Sequence, residues 1–141
     1  LLLCSGKIYF ELQDYLEESK IKDVFILRLE QLYPFPYEAL KSELKNNLNC
    51  EIIWVQEEPK NMGAWGFIRS RVESTMKSIK FNQKNLLFIG RKAAASSATG
   101  IFQRHLQNQK NIIRLATQAK IDEIKESWEG VSLIKYELPI E

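Results

Sequence analysis

The sequence predicts a three-layer α/β domain, with helices covering both faces of a mostly parallel sheet. Two observations carry that expectation. Short apolar runs alternate in order with segments whose apolar residues recur at helical spacing. The segment between successive runs is also long enough for the crossover that parallel neighbours require.

Leu1 to Cys4 is the first run and reads as a strand. After Ser5-Gly6 the period changes. Ile8, Leu12, Tyr15 and Leu16 share a helical face, so Lys7 to about Ser19 is an amphipathic helix. Asp23 to Leu29 (DVFILRL) is rich in branched residues and gives the second strand. Pro34 and Pro36 then break the chain. Pro36 suits a first helical turn, where a missing N–H costs nothing, and Leu40, Leu44 and Leu48 continue that helix. Glu51 to Val55 (EIIWV) is the third strand, and Trp65, Ile68, Val72, Met76 and Ile79 mark the buried stripe of a third helix. Asn85 to Ile89 (NLLFI), ended by Gly90, is the fourth strand. A small-residue loop follows, and Phe102, Leu106, Gln109, Ile113 and Ala116 define the stripe of the last helix. Beyond Lys120 the pattern weakens. Glu123 to Glu129 is compatible with a helix stopped by Gly130, and Val131 to Leu138 with an added strand. Residues 1–120 are assigned to one domain and 121–141 to a C-terminal extension of unknown role.

Bulk properties exclude several classes. The 141 residues fit one domain, and the 45% hydrophobic and 27% charged composition is that of an ordinary globular protein. Twenty basic against 18 acidic residues leave a net charge of +2, spread along the chain, which argues against nucleic acid as a partner. No apolar run reaches the roughly 18 residues of a membrane span. Leu1-Leu2-Leu3-Cys4 lacks the basic start and the length of a signal peptide. No Met opens the chain, so the expectation is a piece of a longer polypeptide, with the missing part upstream. Cys4 and Cys50 have no C-x-x-C spacing and read as buried structural thiols in a reducing compartment. The single His105 cannot anchor a zinc site alone and reads as structural.

In open α/β sheets ligands and partners gather at the carboxyl ends of the strands, and the unusual motifs fall there. Strand one ends in Ser5-Gly6-Lys7. Strand two ends in Glu30-Gln31, leading to a stiff turn with Tyr33 and Phe35. Strand three ends in Gln56-Glu57-Glu58-Pro59-Lys60-Asn61, and strand four in Gly90-Arg91-Lys92. Glu57 and Glu58 are successive in an extended segment and point opposite ways, which suits an acid–base pair poorly. Capping, a salt bridge to Lys60 or Arg91, or a contact with the rest of a longer enzyme is expected instead. Arg91 and Lys92 precede AAASSATG and a helix start near Thr99-Gly100. Together with Ser97 and Gln56 they form either a candidate anion or effector site or a packed loop. The loop lacks the G-x-x-x-x-G-K order of a nucleotide-binding P-loop. Arg91 is expected either to pair with Glu57 or Glu58, or to hold an anion with an open guanidinium. Trp54 and Trp65 lie at apolar positions of strong periodic patterns and are expected in the core.

LLCSGKIYFEL, RLEQLYPFP, WVQEEPKNMGAWGF and IGRKAAASSATG, in this order and spacing, resemble the decarboxylase component of 2-oxoglutarate dehydrogenase. The likeness covers about Leu1 to Lys120, and QEEPKNMGAW with EQLYPFP is its most specific part. The resemblance implies a transketolase C-terminal-like fold. It implies a parent oxidoreductase of the tricarboxylic acid cycle, a homodimer using thiamine diphosphate and magnesium. That parent decarboxylates 2-oxoglutarate and hands the succinyl group to the lipoyl arm of a succinyltransferase, in a multienzyme complex that also holds lipoamide dehydrogenase. The cofactor is held by upstream domains and none by this segment, which packs on those domains and helps to build the dimer. Glu30, Tyr33, Phe35, Glu57, Glu58, Asn61 and Trp65 are its motif or interface candidates, with no catalytic or metal-binding residue among them. Some members also bind regulatory nucleotides or acetyl-coenzyme A around this region. The implied location is the cytoplasm of a bacterium or the mitochondrial matrix of a eukaryote.

Two departures stand out. Family members often carry G-R-P-A-S-A-S-P after strand four. Here Lys92 and Ser97 occupy the proline positions, and Ala94 replaces a serine. The family usually ends near Ala119, so Ile121 to Glu141 has no counterpart in it. The primary reading is a structural and assembly domain, inactive alone. Its rivals are a nucleotide or acyl-coenzyme A sensing module of the same enzyme, the equivalent domain of a 2-oxoadipate-preferring relative, and a free-standing flavodoxin-like binding protein.

Overall fold

The computed structural model describes residues 1–117 and the backbone of Val131–Ile134. Four parallel strands, β1 (Leu2–Cys4), β2 (Ile26–Arg28), β3 (Ile53–Pro59) and β4 (Leu87–Arg91), lie in the order β2-β1-β3-β4. β5 (Val131–Ile134) adds an antiparallel edge, with Val131 opposite Arg91 and Ile134 opposite Phe88. The helices are α1 (Ile8–Glu18), α2 (Tyr37–Asn46), α3 (Trp65–Ser78) and α4 (Phe102–Thr117).

Successive side chains of a strand point to opposite faces, and here both faces are apolar, as in a covered parallel sheet. Leu3, Trp54 and Phe88 join Leu40 and Leu44 of α2 and Ile68, Val72 and Met76 of α3 in one core. Leu2, Cys4, Ile53, Val55, Leu87 and Ile89 join Ile8 and Leu12 of α1 and Ile112 and Leu115 of α4 in the other. The three-layer arrangement predicted from alternation is the one found. Trp54 and Trp65 are buried as expected, at 1% and 4% exposure. Gly90 lies within β4, not after it. A Cβ there would come within 2.6 Å of the Phe88 ring and 3.0 Å of the Gln56 carbonyl oxygen, so only glycine fits.

α1 and α3 end in the same way. Lys20 and Lys80 take left-handed φ values of 55°. The next amide then reaches back to the helix, from Ile21 to the Leu16 carbonyl at 3.0 Å and from Phe81 to the Met76 carbonyl at 3.0 Å. This is the Schellman closure, which glycine usually supplies.

Several boundaries differ from the expectation. β2 is only Ile26–Arg28, and β3 runs on to Pro59 instead of stopping at Val55. α2 ends at Asn46, and Leu48 lies beyond it, 43% exposed. On α4 the expected stripe is wrong at its start, where Phe102 and Leu106 are exposed. The buried face runs through Asn108, Ile112, Leu115 and Ala116. Phe102 and Leu106 lie in the first turns of α4, and the buried residues of this helix begin only at Asn108. The added strand is present over Val131–Ile134. The expected helix over 123–129 and the strand's continuation to Leu138 lie outside the described residues.

Candidate functional site

β1 connects leftward to β2 through α1, whereas α2 and α3 carry the chain rightward to β3 and β4. The strand order therefore reverses between β1 and β3, and ligands of open α/β sheets bind in the crevice at such a point. In this chain a network of its own polar side chains crosses that point. Lys7, just after β1, pairs with Glu57 of β3 at 2.8 Å and with Glu11 of α1. Gln109 of α4 donates from Nε2 to Glu11 Oε2 at 2.7 Å and to Glu57 Oε1 at 3.0 Å. Burial by itself would lower the Lys7 pKa. Hydrogen bonds to Glu11 and Glu57, with their charges, outweigh it and raise the pKa, so the ammonium stays charged. One cation and one amide donor thus satisfy two carboxylates and tie α1, β3 and α4 together.

The β3–α3 loop is organised by Gln56. Its side chain is 3% exposed. Oε1 accepts from Trp54 Nε1 at 2.9 Å and from the Trp65 amide at 3.1 Å. Nε2 donates to the carbonyls of Met62 at 2.8 Å, Pro59 at 3.1 Å and Glu58 at 3.3 Å. The β3–β4 register shifts between Val55 and Pro59, and this irregularity frees the chain to wrap around Gln56. Gly63 turns the loop at φ 66°, and a Cβ there would lie 2.9 Å from Gln56 Nε2.

Asn61 joins this loop to the one after β4. It donates to the Ala94 carbonyl at 3.0 Å and accepts from the Ala94 amide at 3.1 Å, as a strand neighbour would. Arg91 is 8% exposed, and its Nη1 donates to the Ser97 carbonyl at 2.9 Å. Among the described residues no ion pair links Arg91 to Glu57 or Glu58. Both expectations for Arg91, an Arg–Glu pair and an open guanidinium, give way to a third arrangement in which the side chain closes its own loop. Lys92 and Ser97 are exposed at the surface of that loop. Arg91, Ser97 and Gln56 belong to neighbouring loops, but Gln56 turns to Trp54 and Trp65, not to Arg91.

The remaining candidates scatter around the edge. Glu30 accepts from the Gly6 amide at 3.0 Å and pairs with Arg28 at 3.2 Å. Glu57 and Glu58 diverge as expected: Glu57 faces α1 and α4, and Glu58 stands exposed on the loop side. Phe35 is buried and meets Tyr37 edge-on at 4.8 Å, whereas Tyr33 is 85% exposed. Among the described residues eight large hydrophobic side chains are exposed, and six of them, Phe10, Tyr33, Tyr37, Ile101, Phe102 and Leu106, sit in the loops and helices that follow the strand ends at this carboxyl edge. Sequence reasoning missed Glu11 and Gln109. Gln109 was counted with an apolar stripe, and only its polarity within that stripe could have marked it. Among the described residues no group of three or more His, Cys, Asp or Glu is placed to hold a metal ion.

Comparison with known proteins is consistent along this length. Residues 1–117 match the family model described as 2-oxoglutarate dehydrogenase C-terminal. The chain is similar to the 2-oxoglutarate dehydrogenase E1 components of Brucella anthropi and Brucella ovis. Each is 48% identical over 106 residues, which is 75% of this chain and 11% of the relative. The chain thus spans about a ninth of the length of the curated relatives it matches.

Proposed function

This chain belongs to the 2-oxoglutarate dehydrogenase C-terminal family, and from that premise we propose that it is the structural and dimer-assembly domain of a longer polypeptide that oxidatively decarboxylates 2-oxoglutarate. One observation carries the docking role. At the point where a sheet of this kind would take a ligand, Lys7, Glu11, Glu57 and Gln109 bond to one another, while apolar side chains stand exposed around it. Such an edge offers contact area and no open chemistry.

Thiamine diphosphate and magnesium are assigned to upstream domains of that polypeptide. The switch point does not fit a diphosphate, because two of its four side chains are carboxylates and its one ammonium is already shared between them. No step of the reaction is therefore routed through this domain. In this reading the succinyltransferase and lipoamide dehydrogenase components are partners of the whole enzyme, and bacterial relatives favour a cytoplasmic location. A regulatory nucleotide or acyl-coenzyme A site at Arg91 has less support, since the side chain is 8% exposed and is already engaged with the Ser97 carbonyl of its own loop.

The test is turnover with thiamine diphosphate and magnesium. The longer polypeptide should release carbon dioxide from 2-oxoglutarate and reduce ferricyanide, faster than it acts on 2-oxoadipate. The 141-residue chain should do neither. Turnover by the short chain, or a preference of the long one for 2-oxoadipate, defeats the assignment.

A further inference from the structure

At the other end of the sheet, beside the α3–β4 connection, lies a groove of about 640 Å³ lined by Ser70, Glu73, Ser74, Lys77, Lys80, Phe81, Gln83 and Lys84. That volume is within the roughly 300–1,000 Å³ of ordinary ligand clefts. Helical spacing explains one wall, since Ser70, Glu73, Ser74 and Lys77 are three or four residues apart on α3. The Schellman turn at Lys80 swings the chain back to form the other.

The charges of this groove do not balance. Glu73, its one carboxylate, already accepts from Arg69 Nε at 3.2 Å and from the Leu86 amide at 3.1 Å. Lys77, Lys80 and Lys84 are exposed, and none pairs with a described carboxylate. Gln83 is locked by bonds to the Ile52 amide at 2.7 Å and carbonyl at 2.8 Å, so that wall is fixed. Phe81, 7% exposed and packed in the core behind, closes the floor of the groove and gives it a small apolar patch. Three unbalanced ammonium groups around an aromatic ring complement a chain of carboxylates carrying one apolar side chain. Lysine is a point charge that accepts carboxylates in many orientations, and no arginine fork lines the groove to select a phosphate bidentately.

We propose that this groove docks an extended acidic peptide segment of a partner protein, with an apolar side chain of that segment against Phe81. The proposal rests on the reading above, in which the rest of the enzyme packs on the carboxyl edge, whereas this groove lies at the amino ends of the strands. Binding is electrostatic at the surface and therefore weakens as salt shortens the roughly 8–10 Å screening length.

The probe is a fluorescein-labelled Glu-Glu-Leu-Glu-Glu-Glu peptide, titrated by fluorescence anisotropy into the intact polypeptide that carries this domain. Saturable binding is expected, weakened about tenfold or more by Lys77→Glu with Lys84→Glu. The charge-matched pair Lys22→Glu with Lys110→Glu, remote from the groove, should leave it within about twofold. Lys80→Gly relieves a left-handed residue, so it should raise the melting temperature while weakening the peptide, which separates lost contact from lost folding. Replacing the peptide leucine by serine should also weaken it. Equal loss from the two double variants would mean attraction by net charge alone. Displacement of the peptide by millimolar inorganic phosphate at constant ionic strength would make this a phosphate site. Either result, or no saturable binding, overturns the proposal.

Discussion

Gln56 shows how one polar residue can hold a loop from within the core. Its two acceptor and three donor contacts replace every bond its amide would make in water. A leucine there would keep the volume but strand the Trp54 indole, the Trp65 amide and the loop carbonyls. Each buried group left unsatisfied costs about 1–3 kcal/mol, so Gln56→Leu should destabilise by about 3–5 kcal/mol in urea unfolding. Cys4 makes a second residue-scale case. It is fully buried, and burial, then the nearby Glu30 charge, push its pKa up from 9.0 to about 12, with Arg28 opposing. The folded state therefore holds a neutral thiol that the unfolded chain can ionise. Its stabilising contribution is complete below pH 9 and is lost as pH rises toward about 12, at up to about 1.4 kcal/mol per pH unit. The stability of Cys4→Ala should fall less steeply than the parent's between those pH values, as measured by denaturant unfolding. Equal slopes would show that Cys4 ionises as easily folded as unfolded. Cys50, half-buried and bonded only to the Asn47 carbonyl, should react first with a thiol reagent.

At the scale of elements, the β3–α3 and β4–α4 loops behave as one platform, pinned by Asn61 on Ala94 and by Arg91 on Ser97. Gly63 is the tightest point of the first loop. An alanine there must hold φ 66° and push its Cβ to 2.9–3.0 Å from the Gln56 amide. Gly63→Ala should cost about 2 kcal/mol or more, with faster hydrogen exchange at the Ala94 amide. An unchanged melting temperature would mean that the loop yields without strain. The strands and helices of this scaffold were legible because their apolar periods differ, two against 3.6 residues. The edge holding the motifs was legible too, since strand ends follow from the strand assignments. What sat across that edge was not. Gln109 reaches Glu11 over 98 residues of sequence, a pairing no local pattern encodes. α4 was misread for a physical reason: Phe102 and Leu106 obey the apolar period but serve an exposed surface, while polar Asn108 and Asn111 are buried. Gln56 sat in a motif that looked like a polar loop, but β3 continues through it, and strand alternation puts it on the buried face of Trp54.

The described residues form a domain with two unlike ends, a carboxyl edge bearing exposed aromatic and aliphatic side chains and an amino end bearing lysines that pair with no described carboxylate. If the first end is where the rest of the polypeptide and the second subunit pack, its apolar residues are indifferent in the free domain and necessary in the assembly. Phe102 is 72% exposed and Leu106 is 43% exposed. Phe102→Asp with Leu106→Asp should therefore change the stability of the 141-residue chain by no more than about 0.5 kcal/mol per site, the usual range for surface positions. An aspartate at position 102 also suits the first turn of a helix, where the macrodipole favours negative charge. In the longer polypeptide the same pair should forfeit about 1.5–3 kcal/mol of burial per site and strand two carboxylates in an apolar contact. Sedimentation should then show the dimer dissociating at concentrations where the parent remains paired, with decarboxylation falling in parallel. A fall in the melting temperature of the short chain would place Phe102 and Leu106 in its core instead. A fully active, fully dimeric double variant would remove the carboxyl edge from the assembly and leave the docking role without its surface.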